Sequence, residues 1–337
     1  MGDIITKTKE IIRKILPPVV MLIITKWRLS ANAKKWDLNI IKYKPDSDRY
    51  WIINKGNMIL ISSKHLRYID DLMGNFNFYY SSVKPVECGG FNVVDFTTPR
   101  LHWVTGFELF PILFPSFAEP ITTTQQYIEL ADFKNGDVVF DLGAYSGLTS
   151  IMFDMAIPGG GCVIALEADH KNLGACIENI SRYEKIKNRK IELVYAAVWN
   201  DDGGVTFSSE GNLGSSVVSG NEQSGTVKVP SLTLLQIADK FQLTHVDFIK
   251  CDIEGGETVI FDCPQFFSRF SPKILIGCHL VGGISSSALC RKILSKYGYT
   301  FEEVKEQGYP LPLLLCKCQT IITDVMKDNM IIDLMEE

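Results

Sequence analysis

Two stretches of this sequence carry side chains that can do chemistry at the mouth of a sheet. The first is Val138-Val-Phe-Asp-Leu-Gly-Ala-Tyr-Ser-Gly147. Its short apolar run reads as a strand, its glycines as a tight turn, and the residues after Gly147 as the start of a helix. Such a unit opens an α/β sheet, with ligands binding beyond the carboxyl ends of the strands. Asp141 ends the strand, and Gly143, Ala144, Tyr145, Ser146 and Gly147 form the turn. A dinucleotide fingerprint reads G-x-G-x-x-G and cradles a pyrophosphate. Here the middle glycine is missing. The D-x-G-x-x-x-G run suits a ligand without phosphate, and S-adenosylmethionine is the common one. Glu167 ends the next apolar run, 24 residues beyond Gly143. An acidic residue at about that distance accepts hydrogen bonds from ribose hydroxyls. Ala168 and Ala197, at the ends of the second and third strands, complete the expected cofactor-lining set.

The second stretch is Phe248-Ile-Lys-Cys-Asp-Ile-Glu-Gly-Gly-Glu257, answered by His279 at the end of the next strand. Neighbouring strand ends lie about 5 Å apart, so Asp252 and His279 can face one bound substrate. Methyl transfer to a hydroxyl needs the acceptor held in line with an activated methyl donor, and it needs a base for the proton. Each residue has an expected role in that chemistry. Asp252 meets the cofactor's amine or the acceptor. His279 is the base or an acceptor-positioning group. Glu254 is the competing base, oriented by Lys250, which otherwise neutralises the neighbouring acids.

These residues need a scaffold. After the first strand come a helix over 148–155, a strand ending at Glu167, a helix over 170–184 and a third strand over 191–197. A hairpin pairs 205–207 with 226–229 around the Gly- and Ser-rich stretch 211–225, a candidate substrate lid. Next in the chain are a helix over 232–241, strand four over 246–254, strand five over 272–279 and a helix over 285–298. The segments 299–304 and 311–317 make a terminal antiparallel pair. Alternating strands and helices indicate a mostly parallel sheet.

The chain before this unit differs in character. Residues 37–118 read as short strands and turns, with Asn54-Lys-Gly-Asn57 a hairpin turn, a helix around 65–73, and 107–117 a connector. The aromatics Trp51, Phe76, Phe78, Tyr79, Tyr80 and Trp103 belong to the core or face a substrate. A helix over 120–130 leads into the sheet, with Thr122, Thr123 and Thr124 as candidate caps. Residues 1–36 carry eight Lys and Arg against Asp3 and Glu10. Ile4, Ile5, Ile11, Ile12, Ile15 and Leu16 share one helical face. This basic amphipathic segment fits a membrane interface or a protein surface, including a second copy of the chain. The division expected is a basic helical segment (1–36), an α+β region for substrate binding or dimerisation (37–118), a catalytic domain (119–320) and a tail (321–337).

Composition narrows the class. The net charge of −5 gives no support for nucleic-acid binding. Nine cysteines without paired spacing fit reduced thiols and a cytoplasmic location, peripheral at most to the inner membrane face. No cysteine–histidine spacing marks a metal site.

Taken together, Asp141-Leu-Gly-Ala-Tyr-Ser-Gly147, Ile164-Ala-Leu-Glu167, the K-x-D-x-E-G-x-E run ending at Glu257, and Ile274-Leu-Ile-Gly-Cys-His279 resemble the FkbM family of S-adenosylmethionine-dependent methyltransferases. The likeness covers residues 122–317. It implies an α/β fold, a Rossmann-like seven-stranded class I sheet with helices on both faces, here behind an N-terminal mixed α+β extension. It also implies O-methylation of a sugar, glycan or lipid-linked hydroxyl. The chain departs from the family at Tyr145, where Asn is common, and at Gly277 or Cys278, where a Glu commonly precedes the histidine. Two other readings compete: a nicotinamide-dependent oxidoreductase, and a membrane-surface binding protein without turnover.

Overall fold

The computed structural model describes residues 29–31, 33–42, 48–118, 120–208, 216–217, 226–281, 283–306, 309 and 311–319. The basic helix expected in the first 28 residues, most of the Gly- and Ser-rich stretch 211–225 and the tail 321–337 lie outside the described residues.

Seven strands form the central sheet: β1 (Val138–Leu142), β2 (Cys162–Glu167), β3 (Glu192–Tyr195), β4 (Phe248–Cys251), β5 (Lys273–Gly277), β6 (Tyr299–Val304) and β7 (Leu313–Cys318). Their order is β3-β2-β1-β4-β5-β7-β6. β7 runs antiparallel to both its neighbours, whereas the other pairings are parallel. Strand order reverses between β1 and β4, so the crevice beyond those two strand ends is where such a sheet binds ligands.

These segments are strands because both sheet faces are covered, and alternate side chains supply two separate cores. Val139, Val163 and Ala165 face one core, together with helices α1 (Ile121–Ala131), α2 (Leu148–Ala156) and α3 (His170–Lys187). Phe140, Ile164 and Ile249 face the other, with α4 (Leu234–Lys240) and α5 (Ser287–Leu294). Local signals set the helix starts. Asp169 accepts from the Lys171 amide at the start of α3, and Thr233 with Gln236 forms a capping box for α4. The expected threonine caps of α1 are not caps. Pro120 precedes the helix, and Thr124 lies inside it, its hydroxyl 3.2 Å from that of Thr149 on α2.

The N-terminal region builds a five-stranded sheet from Asn39–Lys42, Arg49–Asn54, Asn57–Ser62, Phe91–Asp95 and Val86–Cys88, in that spatial order. Its tight hairpin forms at the expected place. Lys55 and Gly56 both take positive φ, as a two-residue turn matched to strand twist requires. Two local readings change. The aromatic run Phe76–Ser81 is helical, burying Phe76 and Tyr79 three residues apart. The connector contains a short strand, Ile112–Phe114, paired with Arg100–His102. This region does not stand apart: Phe96, Phe117, Tyr127 and Leu148 share one continuous core with the sheet.

Candidate active site

The loop from β1 to α2 is shaped by chain crossings as much as by any ligand. Gly143 has φ +82°, and a Cβ there would collide with the carbonyl oxygen of Asp252. Its lack of a side chain lets the loop cross the exit of β4. Gly147 begins α2 at φ +78°, where a Cβ would press on Cys176 and Ile180 of α3. Between them Tyr145 occupies the left-handed region at φ +52°, a strained conformation for a bulky residue. Three bonds hold it there. Its amide donates to Glu167 Oε2 at 2.7 Å, its hydroxyl donates to the Phe117 carbonyl at 2.8 Å, and the same hydroxyl accepts from the Ser116 amide at 3.1 Å.

Asp141 and Lys250 face each other across β1 and β4. The Lys250 ammonium lies 3.2 Å from Asp141 Oδ1 and donates to the Gly143 carbonyl at 2.9 Å. Asp141 also accepts from Ser150 of α2, and it is fully buried. The carboxylate expected to meet the cofactor therefore lies beneath the loop, absent from the cavity wall, and anchors it from below. Gly147 is likewise set back from the wall. Lys250 is spent on Asp141 and the loop. It stands 3.9 Å from Asp252.

His279 sits at the centre of the acidic group. Its Nδ1 is 3.2 Å from Glu257 Oε1, and its Nε2 is 3.3 Å from Asp252 Oδ1 and 3.6 Å from Glu254 Oε1. Glu257 is fully buried, and its other oxygen accepts from the Gly255 amide at 2.7 Å. Burial alone would lower the His279 pKa, but hydrogen bonds to Asp252 and Glu257 and the charge of Glu254 raise it to about 11. Burial opposes ionisation of Asp252 and Glu257. The charges of Lys250 and His279 on Asp252, and the bond and charge of His279 on Glu257, outweigh it and hold both carboxyls below their usual range. Both imidazole nitrogens face carboxylates, an arrangement that favours the protonated ring. A ring that holds both protons cannot take another, so this geometry suits the acceptor-positioning half of the role expected of His279.

A cavity of about 570 Å³ opens at this point. Gly143, Ala144, Tyr145, Ser146, Glu167, Ala168, Ala197, Lys250, Asp252, Glu254 and His279 all line it. The volume is within the range of small-molecule sites. Glu167 is buried there, which raises its carboxyl to about 7 against the two backbone amides, of Asp169 and Tyr145, that it accepts from. A desolvated carboxylate beside small residues suits a ribose diol, and Asp252 offers an acceptor for an ammonium, so the donor groups of S-adenosylmethionine fit the acceptors present. Among the described residues no cluster of His, Cys, Asp and Glu is arranged to hold a metal ion, and no helix is long and apolar enough to cross a membrane.

Two groups of site residues take their roles from the fold and not from any sequence signal. Glu257 belongs to the run already singled out, but nothing in its spacing shows that the chain turns back after Glu254 (φ +51°) and Gly255 (φ +97°) to place it behind His279. Gly277, one of the two positions where the resemblance leads one to expect Glu, leaves room for Asp252: a Cβ there would lie 3.1 Å from its Oδ1. The second group is the N-terminal wall. Tyr68, Asp71, Tyr79 and Phe117 line the same cavity, and of the aromatics that the sequence offered as substrate-facing only Tyr79 reaches it.

Residues 141–301 match the family described as the methyltransferase FkbM domain. The chain carries an FkbM methyltransferase domain. S-adenosylmethionine is its cofactor, which displaces the nicotinamide reading. The chain is similar to a methyltransferase FkbM from Methylobacillus flagellatus, at 18% identity and TM-score 0.41, over 55% of this chain and 44% of that one. It thus spans less than half of that structure's length. It is also similar to a precorrin-6y C5,15-methyltransferase from Geobacter metallireducens, at 17% identity and TM-score 0.37, over 59% of this chain and 88% of that one. An O-methyltransferase from Bacillus cereus in complex with SAH matches at 12% identity and TM-score 0.35, over 59% and 79% of the two chains. No curated protein matches the chain.

Proposed function

We propose that this FkbM-domain chain transfers a methyl group to a hydroxyl of a sugar, glycan or glycolipid. The observation that carries this reading is the contact of His279 with Asp252, Glu254 and Glu257, in one cavity with the Gly143–Ser146 loop. When bound, S-adenosylmethionine supplies a methyl group activated on a sulfonium. Glu167 would accept hydrogen bonds from its ribose hydroxyls, Ala144, Ala168 and Ala197 would leave room for the nucleoside, and Asp252 would receive its ammonium. Glu254, which has the longest contact to His279 of the three acids, takes the hydroxyl proton. The His279 charge stabilises negative charge developing on the acceptor oxygen. Lys250 and Glu257 hold these groups in place.

The acceptor surface is assigned to the N-terminal region, and peripheral membrane contact at the inner face to the basic segment 1–36. Calorimetry with S-adenosylmethionine, followed by mass spectrometry for S-adenosylhomocysteine formed with glycan and lipid-linked acceptor panels, tests the reading. Binding together with an O-methyl product supports it. An absence of cofactor binding, or a product methylated on nitrogen or carbon, overturns it.

A further inference from the structure

The cavity has a second wall that the methyl-transfer chemistry does not use. Three aromatic rings contributed by the N-terminal region and its connector meet there. Tyr79 packs on Phe117 with centroids 5.3 Å apart, and Tyr68 meets Phe117 edge-on at 6.4 Å. Asp71 stands beside them. The Tyr79 hydroxyl donates to its Oδ2 at 2.5 Å and the Asn75 side-chain amide to its Oδ1 at 2.8 Å. Both of these partners are neutral, and among the described side chains no cation is paired with its carboxylate. Elsewhere in the lining, Lys250 is engaged by Asp141 and the Gly143 carbonyl, and His279 by its three acids. Neither cation faces Asp71 as a partner.

We infer that this wall is an ammonium subsite, and that the acceptor is a hydroxyl compound carrying a positively charged nitrogen. The inference rests on the methyltransferase reading and narrows its substrate class. The faces of aromatic rings attract cations, and the exposed Asp71 adds a carboxylate beside them. The same wall repels phosphate or carboxylate groups on an acceptor, because Asp71 and the acids of the reacting end give the cavity a negative field. Asp71 is the specificity-determining residue, and Tyr79 both a ring of the box and the donor that aims it.

Choline and 3,3-dimethyl-1-butanol test this. They share shape and hydroxyl and differ by one charge. Each is titrated by nuclear magnetic resonance into the full chain saturated with S-adenosylhomocysteine. Choline is expected to bind about tenfold tighter, with the ratio falling as salt is added. Asp71→Asn brings the ratio close to one, and Tyr79→Phe, which keeps the ring, lowers it part-way. Both variants keep the affinity for S-adenosylhomocysteine. Equal affinities in the parent chain, no binding of either probe, or a ratio unmoved by Asp71→Asn overturns the inference. Failure of S-adenosylhomocysteine to bind would instead overturn the methyltransferase reading, so the two failures are distinct.

Discussion

His279 Nδ1 lies 3.2 Å from the buried carboxylate of Glu257, a residue 22 positions earlier in the chain that reaches it from behind β5. This contact, with Asp252 on the other nitrogen, makes the histidine a fixed cation. Its consequence for stability has a definite sign. A group whose folded pKa is raised, here from 6.5 to about 11, stabilises the fold fully below 6.5 and loses that contribution as pH rises towards 11. Asp252 and Glu257, whose carboxyls are lowered, act oppositely and lose their contribution in acid. Urea midpoints of the parent chain should therefore fall between about pH 7 and pH 10, and His279→Gln should flatten that slope. An unchanged slope in the variant would show that the imidazolium is absent.

The division of labour between His279 and Glu254 separates in kinetics. With Glu254 as base, Glu254→Gln lowers kcat about 100-fold while the dissociation constant for S-adenosylmethionine stays within a factor of two. A histidine base would instead give a pH–rate profile rising near 6.5 that disappears in His279→Gln. Steady-state rates across the pH range decide between them.

Glu167 links cofactor affinity to pH. Burial raises its carboxyl to about 7, and ribose hydroxyls donate more strongly to the ionised form. Binding of S-adenosylhomocysteine should tighten as pH rises through 7 and should release protons. Calorimetry in two buffers of different ionisation enthalpy measures that release. Glu167→Gln should abolish it and weaken binding, since the Tyr145 amide loses its carboxylate partner as well.

The sheet was legible because its strands are buried on both faces and read as continuous apolar runs: Cys162–Glu167 was placed to the residue, and the terminal pair at 299–304 was found with its antiparallel sense. The cofactor side of the site was legible because a loop and an acidic strand end lie in consecutive β–α units. The opposite wall was not, because Tyr68, Asp71 and Tyr79 reach the cavity through long-range packing on Phe117, which no local period encodes. Asp141 and Gly143 were legible as residues but not in their roles: sequence spacing cannot tell a carboxylate that meets a ligand from one that meets Lys250.

Tyr145 ties the cofactor loop to the connector before α1. The Ser116 amide donates to its hydroxyl, and the Ser116 hydroxyl is in turn 2.9 Å from Nε2 of buried His65. Because the Ser62 amide donates to His65 Nδ1, the ring proton is on Nε2 and points at Ser116. Tyr145→Phe leaves the Ser116 amide without this partner and should cost about 1–2 kcal/mol of stability. It should weaken S-adenosylhomocysteine binding several-fold by loosening the loop. Chemical denaturation and calorimetry on the same preparation measure both, and a loss of stability with cofactor affinity intact would show that the connector does not position the loop.

The Asp141–Lys250 pair distinguishes a ligand contact from an internal anchor. Both side chains are almost wholly buried, and each has its charge compensated chiefly by the other. Removing one charge leaves the second desolvated, which costs about 3–5 kcal/mol, whereas replacing both with apolar groups of similar volume is often close to neutral. Asp141→Asn should therefore lower the denaturation midpoint strongly, and Asp141→Asn combined with Lys250→Met should recover much of the loss. Cofactor affinity, measured below the unfolding transition, should follow stability in this series, because Asp141 acts through the loop that Lys250 holds at the Gly143 carbonyl. A single variant that kept full stability and lost only cofactor binding would instead place the Asp141 carboxylate against the ligand.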